Sequence, residues 1–528
     1  MLTLALFVKA YTDKLNMILY MKYAIAVIDI GMTNKKVAIY DENLSQREAV
    51  YKNFSPVKVS SPITSEEINS HDLDGMQGWF IEQIANFAKR YPIKAISITT
   101  HGATAVCVDK AGNVCAPCLF YTHEVSKAFE DEFYALCGDK EFLQKTTATP
   151  PLSAMINLAK GIFFLKKFFP KEFDNTETIL NLPQYFAFKF TGVKGVEPTF
   201  MGCHTYLLDP YTQKWSSVAE KLEITDKIPL NYRDSCEKLG TLSADMAKKL
   251  GLSSDVVVTM GLHDSNASLL PYLAKNNTGD FILNSTGTWC VCMHPEEKIA
   301  FSDDDIGKIV FYNQSAFRKP VKTSIFLGGM EVDTYVKLYK KYFNTDEFPS
   351  STQSMVNTVI AENDTFILPE VVQGSGQFPT SKAGIWEKGV FYPLADIQSG
   401  KAVPKLLTSE EGKEKFFAVL DLSLAIQTET ALKRAGLKEK TKIFTEGGFR
   451  KNELYNSIIA SVLKSNEVYL TSMKEATAFG AAMSAVMVLE GKTHTELSEQ
   501  INIEYNRVSS FEIKGYDTYR NKFISLAK

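Results

Sequence analysis

The chain has 528 residues, 45% of them hydrophobic and 23% charged, with 58 Lys and Arg against 61 Asp and Glu. That length exceeds one comfortable hydrophobic core and predicts two domains. A formal net charge of −3 gives no electrostatic reason to expect nucleic acid or an anionic membrane as partner, and 8 irregularly spaced Cys suit reduced thiols better than a disulfide framework.

Residues 1–20 read as an N-terminal extension without catalytic role. Their apolar run, 2–8, follows no basic segment, and Lys9, Asp13 and Lys14 interrupt it far short of the ~18 apolar residues a membrane span needs. A cytoplasmic protein is the expectation, with Met17 or Met21 as alternative starts. Two apolar, β-branched runs follow, 24–30 and 37–40, on either side of the loop Gly31-Met32-Thr33-Asn34-Lys35-Lys36. Further strand-like runs are expected at 94–99, 105–109, 178–182, 255–260, 281–284 and 442–445, with amphipathic helices at 76–89 and 155–169. Alternation of this kind predicts an α/β protein. Cys115-Ala-Pro-Cys118 is a lone C-x-x-C, expected to be two buried thiols near a turn. Residues 279–293 repeat the opening pattern of strand, small-residue loop and strand, which suggests a duplicated domain with a cleft between the halves.

Five local patterns bear on chemistry. The loop of Gly31, Thr33 and Asn34 exposes backbone N–H groups and small donors suited to phosphate, while Asp29, just before it, suits a Mg²⁺ ion; on this stretch alone a plain hairpin is the favoured reading. Ser285-Thr286-Gly287-Thr288 sets three hydroxyls around a glycine, as a phosphate loop or as a turn satisfying its own backbone. Gly447 and Gly448 end a strand that opens into a helix, with Asn452 as its candidate N-cap. Ser472 and Glu475 have the spacing of a capping box, ahead of the small-residue helix Ala476-Thr477-Ala478-Phe479-Gly480-Ala481-Ala482. His263-Asp264 follows the strand at 255–259, so Asp264 is either a carboxylate at a strand's carboxyl end or the N-cap of a helix over 265–273. No Walker loop is present.

Taken in order, these segments resemble the FGGY carbohydrate kinases of the actin, Hsp70 and sugar-kinase superfamily. The likeness runs through Asp29-x-Gly31-x-Thr33, His101-Gly102-Ala103-Thr104, His263-Asp264, Ser285 to Trp289, Gly447 to Asn452, and Glu475 to Ala482. It implies two RNase H-like α/β domains facing a central cleft, drawn here as 21–272 for the sugar and 273–528 for ATP. By resemblance, Asp264 is the catalytic base and Asp29 the Mg²⁺ ligand. Gly31, Thr33, Asn34, Ser285, Thr286, Gly287, Thr288, Gly447, Gly448 and Asn452 meet ATP, and His101, Gly102 and His263 meet the sugar. Met32, Glu446 and Phe449 depart from the residues usual in that family. The resemblance implies phosphorylation of a sugar hydroxyl, with rhamnulose- and fuculose-type ketoses ranked first and xylulose or another pentulose second. A sugar or nucleotide sensor is the alternative of another class. Partners would be the sugar and ATP, with no nucleic acid or membrane, and a homodimer is compatible with it.

Overall fold

The computed structural model describes residues 21–275 and 279–528; the extension read at 1–20 lies outside the described residues. Two mixed sheets organise the chain. The first runs Lys238–Thr241, Val257–Thr259, Ile93–Thr100, Ala24–Ile30, Asn34–Asp41, Gln46–Asn53, and Leu262–His263 also pairs with Ile93–Thr100. The second runs Val310–Gln314, Pro320–Phe326, Cys290–Pro295, Phe281–Thr286, Lys442–Gly447, Glu467–Thr471, Tyr505–Arg507.

The duplication suggested by the loop echo extends to strand sense. Ala24–Ile30 is antiparallel to the next strand in sequence and parallel to Ile93–Thr100. Phe281–Thr286 is antiparallel to Cys290–Pro295 and parallel to Lys442–Gly447. In each sheet a further parallel strand follows, closed by an antiparallel edge strand. The central strand Ala24–Ile30 (AIAVIDI) is buried on both faces except at Asp29. That explains a continuous apolar run where a one-sided strand would alternate. Asp29 is the polar interruption, at the strand's carboxyl end.

The two halves exchange helices. Asp264–Ala274 follows the first sheet, yet its Tyr272 stacks on Phe444 of the second at 5.8 Å between ring centroids. The Tyr272 hydroxyl donates to Glu446 Oε2 at 2.9 Å. Ala476–Glu490 follows the second sheet, yet Ser484 Oγ lies 3.2 Å from Ser97 Oγ of the first. One apolar cluster therefore joins Ile25 and Val27, Leu269 and Tyr272, Phe281 and Leu283, and Ala478, Ala481 and Ala482. The helices cross so closely that a Cβ on Gly480 would lie 1.8 Å from the Ala267 carbonyl oxygen. The small residue at position 480 is what permits this crossing.

The helix expected at 155–169 is Leu158–Phe168. It starts late because the Asn157 side chain accepts from Leu152 N at 2.9 Å and donates to Pro150 O, holding the preceding turn irregular. All eight cysteines are free; Cys118 is buried and Cys115 half-buried. Among the described residues, no helix is long and apolar enough to cross a membrane.

Gly480→Ala replaces a helix-interior glycine, which propensity favours by about 1 kcal/mol. The added methyl nevertheless meets backbone that cannot swing aside. Overpacking of this sort costs about 1–3 kcal/mol or more, so the variant is expected to melt several degrees below wild type by calorimetry. An unchanged or raised melting temperature would show that the crossing is loose.

Candidate functional site

A cavity of about 720 Å³ lies between the two sheets, floored by the N-terminal ends of the exchanged helices. Asp264 is the first residue of its helix, not the cap; His263 occupies the cap position without a capping side-chain bond. The Ser265 N–H donates to Asp264 Oδ1 at 2.6 Å and fixes the carboxylate. Burial raises the Asp264 pKa, while the nearby His101 and His204 imidazoles oppose the rise.

The wall on the first-sheet side is aromatic and imidazole-rich. His101 stacks against His71 at 5.3 Å and packs 5.5 Å from Tyr121. Its Nδ1 faces the Gly102 carbonyl at 3.0 Å, while its Nε2 is buried without a partner. Burial holds His101 down to about 4, and His204 and His263 down to about 3, so all three are neutral at pH 7. A Cβ on Gly102 would lie 2.7 Å from His263 Nε2, so glycine is what lets this turn pass the imidazoles. Ala103, Ile156, Phe311 and Ile325 form an apolar cluster against which Tyr121, Trp289 and Val291 pack. Trp289, from the second sheet, hydrogen-bonds the Tyr121 side chain of the first across the cleft.

The opposite wall is built by two latched turns. Gly447 has φ 80°, and a Cβ there would lie 1.9 Å from the Thr286 carbonyl. The Thr286 hydroxyl donates to the Glu446 carbonyl and accepts from Phe449 N at 3.0 Å, so it holds the Gly-Gly turn in place. Ser285 and Ser268 hydrogen-bond the Glu446 carboxyl, which burial pushes up to about 7. Gly287 and Thr288 are exposed at the cavity edge.

Between the walls sits a charge cluster. Burial pushes Asp29 up to about 7; Asp264 and Glu475 add to the rise and Lys36 opposes it. Lys36 ion-pairs with Glu475, whose other oxygen accepts from the Tyr51 hydroxyl. The capping-box reading of Glu475 is thereby corrected. Its backbone is left-handed (φ 53°), its side chain makes no capping bond, and Ser472 Oγ accepts from Glu504 N instead. The buried Lys36 ammonium competes for the carboxylate and wins, because an exposed cap is worth little beside a buried charge.

Two family models match the sequence of this chain: the FGGY family of carbohydrate kinases, N-terminal domain, over residues 24–271, and the carbohydrate kinase FGGY C-terminal domain over 278–494. The chain belongs to the FGGY family of carbohydrate kinases. An L-fuculokinase of Salmonella typhi is 21% identical over 91% of this chain and 96% of its own. A rhamnulokinase of Halalkalibacterium halodurans is 29% identical, over 25% of this chain and 28% of its own length. A solved carbohydrate kinase from Novosphingobium aromaticivorans superposes with TM-score 0.74 at 23% identity, covering 95% and 97% of the two chains. A xylulose kinase from Lactobacillus acidophilus superposes with TM-score 0.75 at 15% identity, covering 95% and 96%. These likenesses in structure show the FGGY fold.

Within this FGGY cleft the residues singled out from sequence divide. Gly31, His101, Gly102, His263, Asp264, Ser285, Thr286, Gly287, Thr288, Gly447 and Gly448 line the cavity. Asp29 stands behind it, in register with Lys36. Thr33 and Asn34 are exposed on the rim, and the Gly31 N–H already donates to Asn34 O at 3.0 Å. Asn452 is placed away from the cavity wall: its Oδ1 caps Tyr455 N at 3.0 Å and its Nδ2 donates to the buried Asp421 at 2.7 Å. Tyr121, Ile156, Cys203, His204, Phe311 and Glu475 line the cavity without having been singled out for it. Lone aromatic, cysteine or histidine residues scattered over long separations carry no spacing signal.

Thr286→Val removes the latch while keeping the shape, leaving the Phe449 N–H unpaired at a cost of about 1–3 kcal/mol. If the nucleotide seats on this wall, the KM for ATP is expected to rise about tenfold, with a smaller change in the KM for sugar, in steady-state kinetics. Equal rises in both would place the latch's role elsewhere.

Proposed function

We propose that this FGGY kinase transfers the γ-phosphoryl group of ATP to a hydroxyl of a ketose, with Asp264 as the base and a 6-deoxyhexulose such as L-rhamnulose or L-fuculose as the substrate class. The observation that carries the reading is the position of Asp264. Its fixed carboxylate stands where the imidazole wall meets the wall of glycine turns and hydroxyls.

The chemistry suits a positioned carboxylate. Phosphoryl transfer runs through a loose transition state in which the hydroxyl proton leaves late. Asp264 Oδ2, free of the Ser265 amide that holds Oδ1, accepts the hydroxyl hydrogen and aims the oxygen in line, then takes the proton as the bond to phosphorus forms. The nucleotide's place is the second wall, where Gly447 and Gly448 allow close backbone approach and Thr288 offers an exposed hydroxyl. Asp29 is the residue to hold Mg²⁺: a half-buried carboxyl pushed up to about 7 beside Asp264 and Glu475 is a hard oxygen donor whose charge a divalent cation would relieve. Bound there, the ion would neutralise charge on the triphosphate. His101, neutral and with Nδ1 donating to the Gly102 carbonyl, leaves its buried, unpartnered Nε2 to accept from a sugar hydroxyl.

The apolar cluster of Ala103, Ile156, Phe311 and Ile325 supports the deoxyhexulose. A terminal methyl against this surface gains roughly 1 kcal/mol of burial, whereas a hydroxyl there would lose its water. The rhamnulokinase and L-fuculokinase among the relatives favour the same class.

Coupled ADP release over a ketose panel tests the reading. A 6-deoxyhexulose is expected to exceed a pentulose by about 10–200-fold in kcat/KM, the discrimination one methyl-sized group allows. Asp264→Asn is expected to lower kcat by about 10²–10⁴-fold. Turnover unchanged in Asp264→Asn overturns the base. A sugar-induced rise in melting temperature without ADP release would make the chain a sensor instead.

A further inference from the structure

The imidazole wall also gathers side chains that could ligate a metal. Cys203 Sγ lies 3.6 Å from His263 Nε2, and Asp264 Oδ1 lies 3.4 Å from that same nitrogen. His204 joins them, and one ligand atom from each of Cys203, His204 and His263 falls within 4.8 Å of the others. The His204 Nδ1 is taken by the Ile156 carbonyl at 3.0 Å, which leaves Nε2 as its free ligand atom. His263 is 4% exposed, its Nδ1 has no partner, and its Nε2 faces the Cys203 thiol and the Asp264 carboxylate. A buried imidazole with one nitrogen unpartnered and the other held only by a thiol and a carboxylate is an unmet demand.

We propose that Cys203, His204 and His263, with the Asp264 carboxylate as fourth ligand, form a binding site for a soft divalent cation of the zinc type, and that its occupancy blocks the sugar pocket. The inference of blockage rests on the role given to Asp264 above; the binding site itself does not. One thiolate, two imidazoles and one carboxylate are a zinc donor set, and four ligands at zinc bond lengths stand about 3.3–3.8 Å from one another. The 3.4 and 3.6 Å separations already have that spacing. The ligand atoms of Cys203, His204 and His263 lie within 4.8 Å of one another, and the Asp264 carboxylate is placed by its 3.4 Å approach to His263 Nε2. Both imidazoles are held neutral by burial, as ligands must be. The thiol gives up its proton to solvent as the sulfur–metal bond forms. Magnesium, which prefers oxygen donors, does not compete for such a set. A cation there takes the carboxylate from the sugar hydroxyl, so its inhibition is relieved by sugar and not by ATP.

Cobalt(II) is the probe, titrated into reduced, chelator-treated full-length protein in excess Mg²⁺. A thiolate-to-cobalt charge-transfer band in the near ultraviolet is expected at one equivalent, displaced by Zn²⁺. Cys203→Ser should abolish it, His204→Gln should weaken cobalt affinity at least about tenfold, and Cys115→Ser should leave it unchanged. Melting curves of each variant show that it is folded. No band at stoichiometric cobalt, or a band that survives Cys203→Ser, overturns the site. In turnover assays Zn²⁺ is expected to inhibit competitively with ketose, and inhibition competitive with ATP overturns the blockage. Absence of turnover with every ketose would fell the proposed function, while the cobalt titration still decides the site.

Discussion

The helix crossing in the molecule's middle, where Gly480 passes the Ala267 carbonyl with no room for a Cβ, is the constraint on which the cleft depends. Two helices pass each other there, each lying on the sheet of the other half. Because they begin at the cleft, their first turns carry Asp264 and Ser268 on one side and Glu475 to Thr477 on the other. Side chains large enough to separate the helices would also separate these termini. The run of Ala and Gly in the second helix therefore sets the distance between the two walls.

The charges of the cleft follow from this arrangement. Asp29 and Glu475 face one buried ammonium, Lys36, with Asp264 adding its charge beside Asp29, and the carboxyls whose burial dominates are raised. Glu475 behaves oppositely. The direct ion pair and the Tyr51 hydroxyl hold its pKa below the ordinary value despite partial burial. An excess of carboxylate over ammonium suits the cation that the proposed reaction would bring to this cleft. The same pair ties the hairpin Ala24–Asp41 of the first half to the helix start of the second.

The architecture was legible in sequence where signals are local. The two strand–loop–strand segments, the strand leading to Asp264 and the helix opening after Asn452 each span fewer than about 20 consecutive residues, within reach of pattern and propensity. Roles set by distant partners were not. Glu475 has the spacing of a cap, and only the approach of Lys36, 439 positions away, turns it to an ion pair. Ser285 and Thr286 read as phosphate-loop hydroxyls or as a turn satisfying its own backbone, and only the parallel pairing with Lys442–Gly447 brings both to Glu446. Cys203 and His204 sit in a short irregular stretch after the turn of helix Pro198–Met201 and meet His263 only through the fold.

In the proposed reaction, sugar and nucleotide meet in one cleft and the phosphoryl group passes directly between them, with Asp264 orienting the hydroxyl. Stereochemistry at phosphorus tests this most directly, using ATP made chiral at the γ-phosphoryl group with oxygen isotopes. A single in-line displacement predicts inversion of configuration in the sugar phosphate. Retention would mean that a side chain carries the phosphoryl group between two separate encounters, and would contradict the account.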